Sequence, residues 1–175
     1  MNGKQSDLLS GTILFLRNLF WTVLYPGTVT LFLPYLIVTR WRPTTIAQWG
    51  VVQFLSLIPI ILGAAILFHC IWNFAVIGRG TLSPLDAPRR LVVKGLYRYV
   101  RNPMYVGVVM VLLGEALLFE SLVLFGYAIG CFVLFNLVIF LYEEPTLRSQ
   151  FGESYVRYRR RVRRWRPGRP YEEAG

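Results

Sequence analysis

Apolar residues in this chain come in long runs separated by short polar segments, the pattern of membrane helices. A helix that crosses a bilayer needs about 20 mainly apolar residues. Four segments meet or approach that length: about Ile13 to Val38, Val51 to Val76, Pro103 to Phe119 and Leu122 to Tyr142. The first is interrupted by Arg17, Pro26-Gly27 and Pro34. Proline lacks a backbone N–H and collides with the preceding turn, so this run is expected to kink or to split into two shorter helices. The second contains Pro59, His69 and Asn73, and the third is short and carries Gly107, Gly114 and Glu115. Only Glu120 and Ser121 separate the third from the fourth, which predicts a tight antiparallel helical hairpin. The expected fold class is all-α: an integral-membrane helical bundle of four transmembrane helices, or five if the first is split.

Beyond the fourth run the pattern changes to that of an amphipathic helix. In "EEPTLRSQFGESYVRYRRRVRRWRP", Leu147, Phe151, Tyr155 and Tyr158 recur at helical spacing and form one aliphatic-aromatic stripe. Arginines cover the other faces, which predicts a cytosolic helix resting on anionic lipid headgroups. Residues Pro170 to Gly175 read as a frayed end.

Composition sharpens this picture. The chain is 55 % hydrophobic and only 16 % charged, against roughly 25 % charged in soluble proteins, yet its net charge is +10. A chain both apolar and basic is a membrane protein with basic flanks rather than a soluble nucleic-acid binder. Six Lys or Arg fall between Ile77 and Asn102 and nine after Glu144, whereas the loop between the first two runs holds Arg40 and Arg42 alone. With four spans the positive-inside rule places the N-terminus, the 77–102 linker and the C-terminus in the cytoplasm, and a split first span moves only the N-terminus outside. The compact length suits a bacterial or archaeal inner-membrane protein. Residues 1–76 are expected to form the N-terminal transmembrane helices and residues 77–175 a functional core. Cys70 and Cys131 lie inside apolar runs without C-x-x-C spacing, so neither a disulfide framework nor a metal site is indicated.

The candidate chemistry lies at two polar corners. One is "YRYVRNPMY", Tyr97 to Tyr105, and the other is Glu143-Glu144. The hairpin brings the start of its first limb beside the end of its second, so the two corners are expected to meet. Carboxylates beside aromatic rings suit a cationic or zwitterionic ligand: rings favour cations such as a sulfonium, and carboxylates accept from hydroxyl or amino groups. The plain alternative is a set of acids and bases capping helix ends at an interface. Gly78-Arg79-Gly80 allows close backbone approach, although a lone G-x-G is equally a flexible loop. Glu115, ionisable within a span, is a functional candidate or a hydrogen bond to a neighbouring helix. His69, with Asn73 one turn on, reads as an interhelical hydrogen-bonding residue.

Taken together, "LVVKGLYRYVRNPMYVG" followed by "EEPTLRSQFGESYVRYRRRVRRWRP" resembles the isoprenylcysteine carboxyl methyltransferase and phospholipid methyltransferase superfamily. These are integral-membrane enzymes that use S-adenosylmethionine. The resemblance covers about Gly78 to Pro167. It implies an S-adenosylmethionine-dependent methyltransferase acting on a lipophilic acceptor, either a prenylcysteine-like carboxylate or a lipid amine. The cofactor positions it implies are Gly78, Gly80, Leu91, Val92, Tyr97, Asn102, Pro103, Met104, Tyr105 and Glu143, with Glu144 and Arg101 on the catalytic side. Asn102 stands where the prenylcysteine enzymes carry histidine, and Ile139 where the eukaryotic ones carry an arginine toward the substrate carboxylate. A lipid amine must lose a proton before it attacks, with Glu144 or Glu115 as the candidate base. Two further readings remain: a sterol-reductase-like membrane enzyme using NADPH, and a non-enzymatic protein whose basic tail binds anionic lipid.

Overall fold

The computed structural model describes residues 23–40, 49–76, 91 and 93–172. Among them every regular element is helical. The first apolar run appears as a wide, π-type helix, Val23–Phe32, passing into α1, Leu33–Arg40. The irregularity expected there is present, because Pro26 lies inside the π segment and cannot donate to an α-helical ladder. Its carbonyl is taken by Thr30 Oγ1 at 2.7 Å. Pro34 falls at the junction of the π segment and α1, where its missing N–H accompanies the change of ladder. Arg17 lies outside the described residues.

Helix α2, Val51–Val76, is 26 residues long, or roughly 39 Å at 1.5 Å per residue, enough to cross a hydrocarbon layer of about 30 Å. Its apolar side chains face outward along its length: Val51 is 74 % exposed, Phe68 69 % and Ile61 63 %. Such a contiguous apolar surface is at home in lipid. Helix α3, Pro103–Leu118, is apolar but shorter, roughly 24 Å. Helix α4 starts at Leu122, and the continuous helical stretch from there to Arg161 is the second element long and apolar enough to span.

The two limbs of the hairpin join as the sequence predicts. Glu120 takes a positive φ of 46°, and Ser121 caps α4 by accepting the Leu124 N–H at 3.3 Å. Gln53, buried at the start of α2, donates to Glu120 Oε1 at 2.6 Å and fastens the turn. Helices α2 and α3 pack closely because glycines remove the side chains between them. A Cβ on Gly63 would lie 2.6 Å from the Gly107 carbonyl, and one on Gly114 2.5 Å from Ile60 Cγ1. Small-residue contacts of this kind let helices associate in lipid, where apolar burial gives no driving force. Leu67, Val108, Val111, Leu112, Ala128 and Cys131 form the core of the bundle, and Tyr127 Oη reaches the Val29 carbonyl at 3.0 Å.

Helix α4, Leu122–Val138, widens into a π turn, Ile139–Glu143, and continues as α5, Glu144–Arg161. Here two sequence expectations are corrected. The stripe on α5 is not open to lipid but buried within the protein. Tyr155 and Tyr158 are 3 % and 4 % exposed and pack with Val162, Tyr171, Leu91 and Val93, with Leu147 and Phe151 alongside. An amphipathic helix advertises a buried face without specifying what buries it, and the chain covers this one with its own linker and tail. Nor is Pro170 to Glu172 frayed. Tyr171 N–H donates to the Arg98 carbonyl at 2.9 Å, and Arg98 Nε returns a bond to the Tyr171 carbonyl at 3.0 Å. Arg101 N–H to the Arg163 carbonyl, 2.9 Å, and Gly168 N–H to the Tyr99 carbonyl, 3.0 Å, complete the dock. Arg98 and Tyr171 supply the anchors that a polar terminal sequence conceals.

Candidate functional site

The linker enters the site through a short 3-10 turn, Gly95–Arg98. Gly95 takes a φ of +57°, and a Cβ there would lie 2.5 Å from Asn73 Nδ2 and 2.8 Å from His69 Nε2. Both the conformation and the fit against α2 demand glycine. His69 and Asn73 thus shape the linker's seat on α2. Tyr97 follows, its hydroxyl hydrogen-bonded to the Cys70 thiol and its carbonyl accepting Tyr158 Oη at 2.7 Å. Burial, then the neighbouring Cys70, Tyr158 and Glu143, hold the Tyr97 phenol well above its ordinary range.

Asn102 caps α3 with its backbone; its side chain makes no capping hydrogen bond, although asparagine is among the best caps. Pro103 begins the helix and is fully buried, and Met104 packs against the bundle core. Tyr105 faces the second limb. Its ring stacks on Phe135, centroids 4.6 Å apart, and its hydroxyl donates to Glu143 Oε1. A carboxylate offers about four lone-pair sites, and this bond takes one of them.

The π turn sets the neighbouring acids on different tasks. Glu143 reaches α3 through Tyr105, while Glu144 binds guanidinium groups from three stretches of chain. Arg101 Nη1 lies 2.9 Å from Glu144 Oε1, and Arg164 offers the same oxygen Nη2 at 2.7 Å and Nε at 3.2 Å. Arg159 approaches Oε2 at 3.6 Å. Glu144 is buried and the Arg101 side chain is 11 % exposed, so this centre joins linker, hairpin and tail away from bulk water. Arg101 Nε is buried without a partner among the described residues.

The structure therefore brings together Tyr105 with Glu143 and Arg101 with Glu144, and ties Tyr97 to Tyr158 of α5. Leu91, Pro103 and Met104 lie in packed surroundings at the margins of this corner. Gly78, Gly80 and Val92 lie outside the described residues. Glu115 does not join them: it follows Tyr105 by ten residues on α3, roughly 15 Å along the axis. Its Oε2 is buried without a partner among the described residues. Ile139, 1 % exposed, places an uncharged side chain at the start of the π turn. Phe135, Arg164 and Trp165 were not singled out by the sequence. Arg164 is one arginine in a run of many, and nothing local marks Phe135 within an apolar helix.

Fold and site together define an all-α helical bundle, with two elements long and apolar enough to cross a membrane, whose hairpin closes on a polar, aromatic corner. Residues 51–154, more than half of the chain, match the phospholipid methyltransferase family, and the chain belongs to that family. Among curated proteins, the protein-S-isoprenylcysteine O-methyltransferase of Schizosaccharomyces pombe is 40 % identical over 75 residues. The match covers 41 % of this chain and 30 % of that relative's length, so the chain corresponds to a minor part of the yeast protein. No solved structure matches.

Proposed function

We propose that this chain transfers a methyl group from S-adenosylmethionine to a lipophilic acceptor held in the membrane. The observation that carries the reading is the Tyr105–Glu143 contact across the hairpin, with the Tyr105 ring stacked on Phe135, in a chain that belongs to a methyltransferase family. Aromatic faces attract a sulfonium, and a carboxylate accepts from ribose hydroxyls or an ammonium. The uncapped Asn102 amide adds donors and an acceptor at the start of α3. These groups fit the donor in kind. When bound, it supplies an electrophilic methyl group on a positively charged sulfur.

In this reading the protein acts mainly by placement. Glu143, Tyr105 and Asn102 hold the donor, with Gly78, Gly80, Leu91, Val92, Tyr97, Pro103 and Met104 forming its surroundings. Glu144 is a positioning residue: with arginines on both its oxygens, it fixes Arg101 and the tail and is poorly placed to take a proton. Glu115 lies too far along α3 to serve as base at this corner. An uncharged Ile139 leaves an acceptor carboxylate without the counter-charge that the prenylcysteine enzymes use, which favours a lipid amine. Four or five spans, a cytoplasmic linker and C-terminus, a bacterial or archaeal inner membrane, and a catalytic core within 77–175 complete the proposal.

The test is a methylation assay with labelled donor on membrane lipid extracts, read by mass spectrometry. A labelled lipid product that disappears with Glu143→Ala supports the reading. A folded protein that labels no lipid from any extract counts against it.

A further inference from the structure

The tail segment that follows α5 carries an anchor in the membrane layer. Trp165 donates its indole N–H to Asn136 Oδ1 at 3.1 Å, and its ring lies 4.9 Å from that of Phe132. Asn136 is 14 residues beyond the start of α4, roughly 21 Å along the helix, and a hydrocarbon layer is about 30 Å thick. The amide therefore sits below the headgroups, where a polar side chain needs partners. Its NH₂ is satisfied by the Phe132 carbonyl at 2.8 Å and its oxygen by Trp165. Trp165 thus reaches from a basic tail into the apolar layer, the station that tryptophan prefers at membrane interfaces.

Its flanks are charged and open. Arg163 and Arg166 are exposed, and the buried carboxylate nearby, Glu144, is already held by Arg101, Arg159 and Arg164. Arg163 is fixed in place because its carbonyl accepts the Arg101 N–H. On the membrane side, Phe132 is 39 % exposed and Phe140 63 %. Cationic side chains at headgroup level thus stand over an apolar aromatic wall.

We propose that Arg163, Trp165 and Arg166, with Trp165 seated on Phe132 and Asn136 of α4 and the exposed Phe140 further along the same chain, bind an anionic phospholipid. The arginines take the phosphate and the aromatic wall takes an acyl chain. The headgroup contact expected of the basic C-terminal segment is thereby assigned to the residues after α5, since the α5 stripe is buried within the protein. The site stands apart from the Tyr105–Glu143 corner and does not depend on methyl transfer.

The full chain, reconstituted in phosphatidylcholine vesicles, is probed with a small fraction of brominated phosphatidylglycerol or brominated phosphatidylcholine. The chain has five tryptophans, so the Trp165 share of quenching is the difference between the parent and Trp165→Phe. That share is expected to be quenched several-fold more by the anionic lipid, each nearby arginine contributing roughly fivefold in local lipid at low salt. Arg163→Gln with Arg166→Gln abolishes the preference, while Arg163→Lys with Arg166→Lys keeps it. Raising salt weakens it in the unmutated protein, which tests the charge contribution without any substitution. Equal quenching by the two lipids in the parent overturns the proposal, as does a preference that survives the double glutamine variant.

Discussion

Removing the Glu144 carboxylate tests how the tail is held. In Glu144→Ala, Arg101 and Arg164 lose their counter-ion where Arg101 is 11 % and Arg164 25 % exposed. Breaking a buried ion pair by deleting one partner costs about 3–5 kcal/mol, because the remaining charge is left uncompensated. The Arg159 contact adds little, since at 3.6 Å and 48 % exposure it behaves as a surface pair of about 0–1 kcal/mol. Much of the loss falls on docking of the tail, which the unpaired Arg101 and Arg164 no longer hold. At about 3 kcal/mol the undocked population rises roughly 150-fold. Trypsin cleavage after Arg164 reads this population when opening is fast relative to cutting. We expect about 100-fold faster cleavage there in Glu144→Ala, with helix content by circular dichroism nearly unchanged. Glu144→Gln, which keeps an acceptor oxygen without the charge, should fall between the two. Cleavage within about twofold of the parent in a folded Glu144→Ala protein would refute the reasoning.

Other outcomes follow from the packing and the titrating groups. Gly63→Ala pushes a Cβ to 2.6 Å from the Gly107 carbonyl, a backbone atom that cannot turn aside; we expect about 1–3 kcal/mol lower stability in detergent unfolding. Gly152 has a φ of +52° with open space around it, so Gly152→Ala is penalised by backbone conformation alone, about 1–3 kcal/mol in the same measurement. Tyr97 binds its proton more tightly folded than unfolded, so its contribution is complete below about pH 10 and declines as the pH rises further. A titration of tyrosinate absorbance in Tyr97→Phe should accordingly lose one phenol that ionises above the ordinary tyrosine range. Tyr158→Phe removes the bond to the Tyr97 carbonyl and should cost about 0.5–1.5 kcal/mol in tail docking, read by the same trypsin assay.

Much of this architecture is legible in the sequence because membrane helices are encoded locally. The second apolar run becomes α2 with the expected bounds, Val51–Val76, and Glu120-Ser121 becomes the hairpin turn. From that turn follows the meeting of the Tyr105 and Glu143 corners, since a tight hairpin leaves its two open ends side by side. What escapes is whatever depends on long-range choice. The stripe of Leu147, Phe151, Tyr155 and Tyr158 predicts a helix face correctly, but periodicity cannot say that Leu91 and Tyr171 will cover it in place of lipid. The pairing of Arg164 with Glu144 is hidden among equivalent arginines, all of which have the charge and few the geometry. Asn136 and Trp165 carry no pattern that links them before the tail is seen to turn back onto α4.

The most direct measurement of the central claim is calorimetric binding of S-adenosylhomocysteine, the demethylated donor, to the purified chain in detergent. We expect affinity on the order of micromolar, about −8 kcal/mol. It should weaken at least about tenfold in Tyr105→Phe, which removes one hydrogen bond to a carboxylate, and be lost in Glu143→Ala, while NADPH does not bind. A folded protein that binds no S-adenosylhomocysteine, or binds it equally well in both variants, would contradict the account.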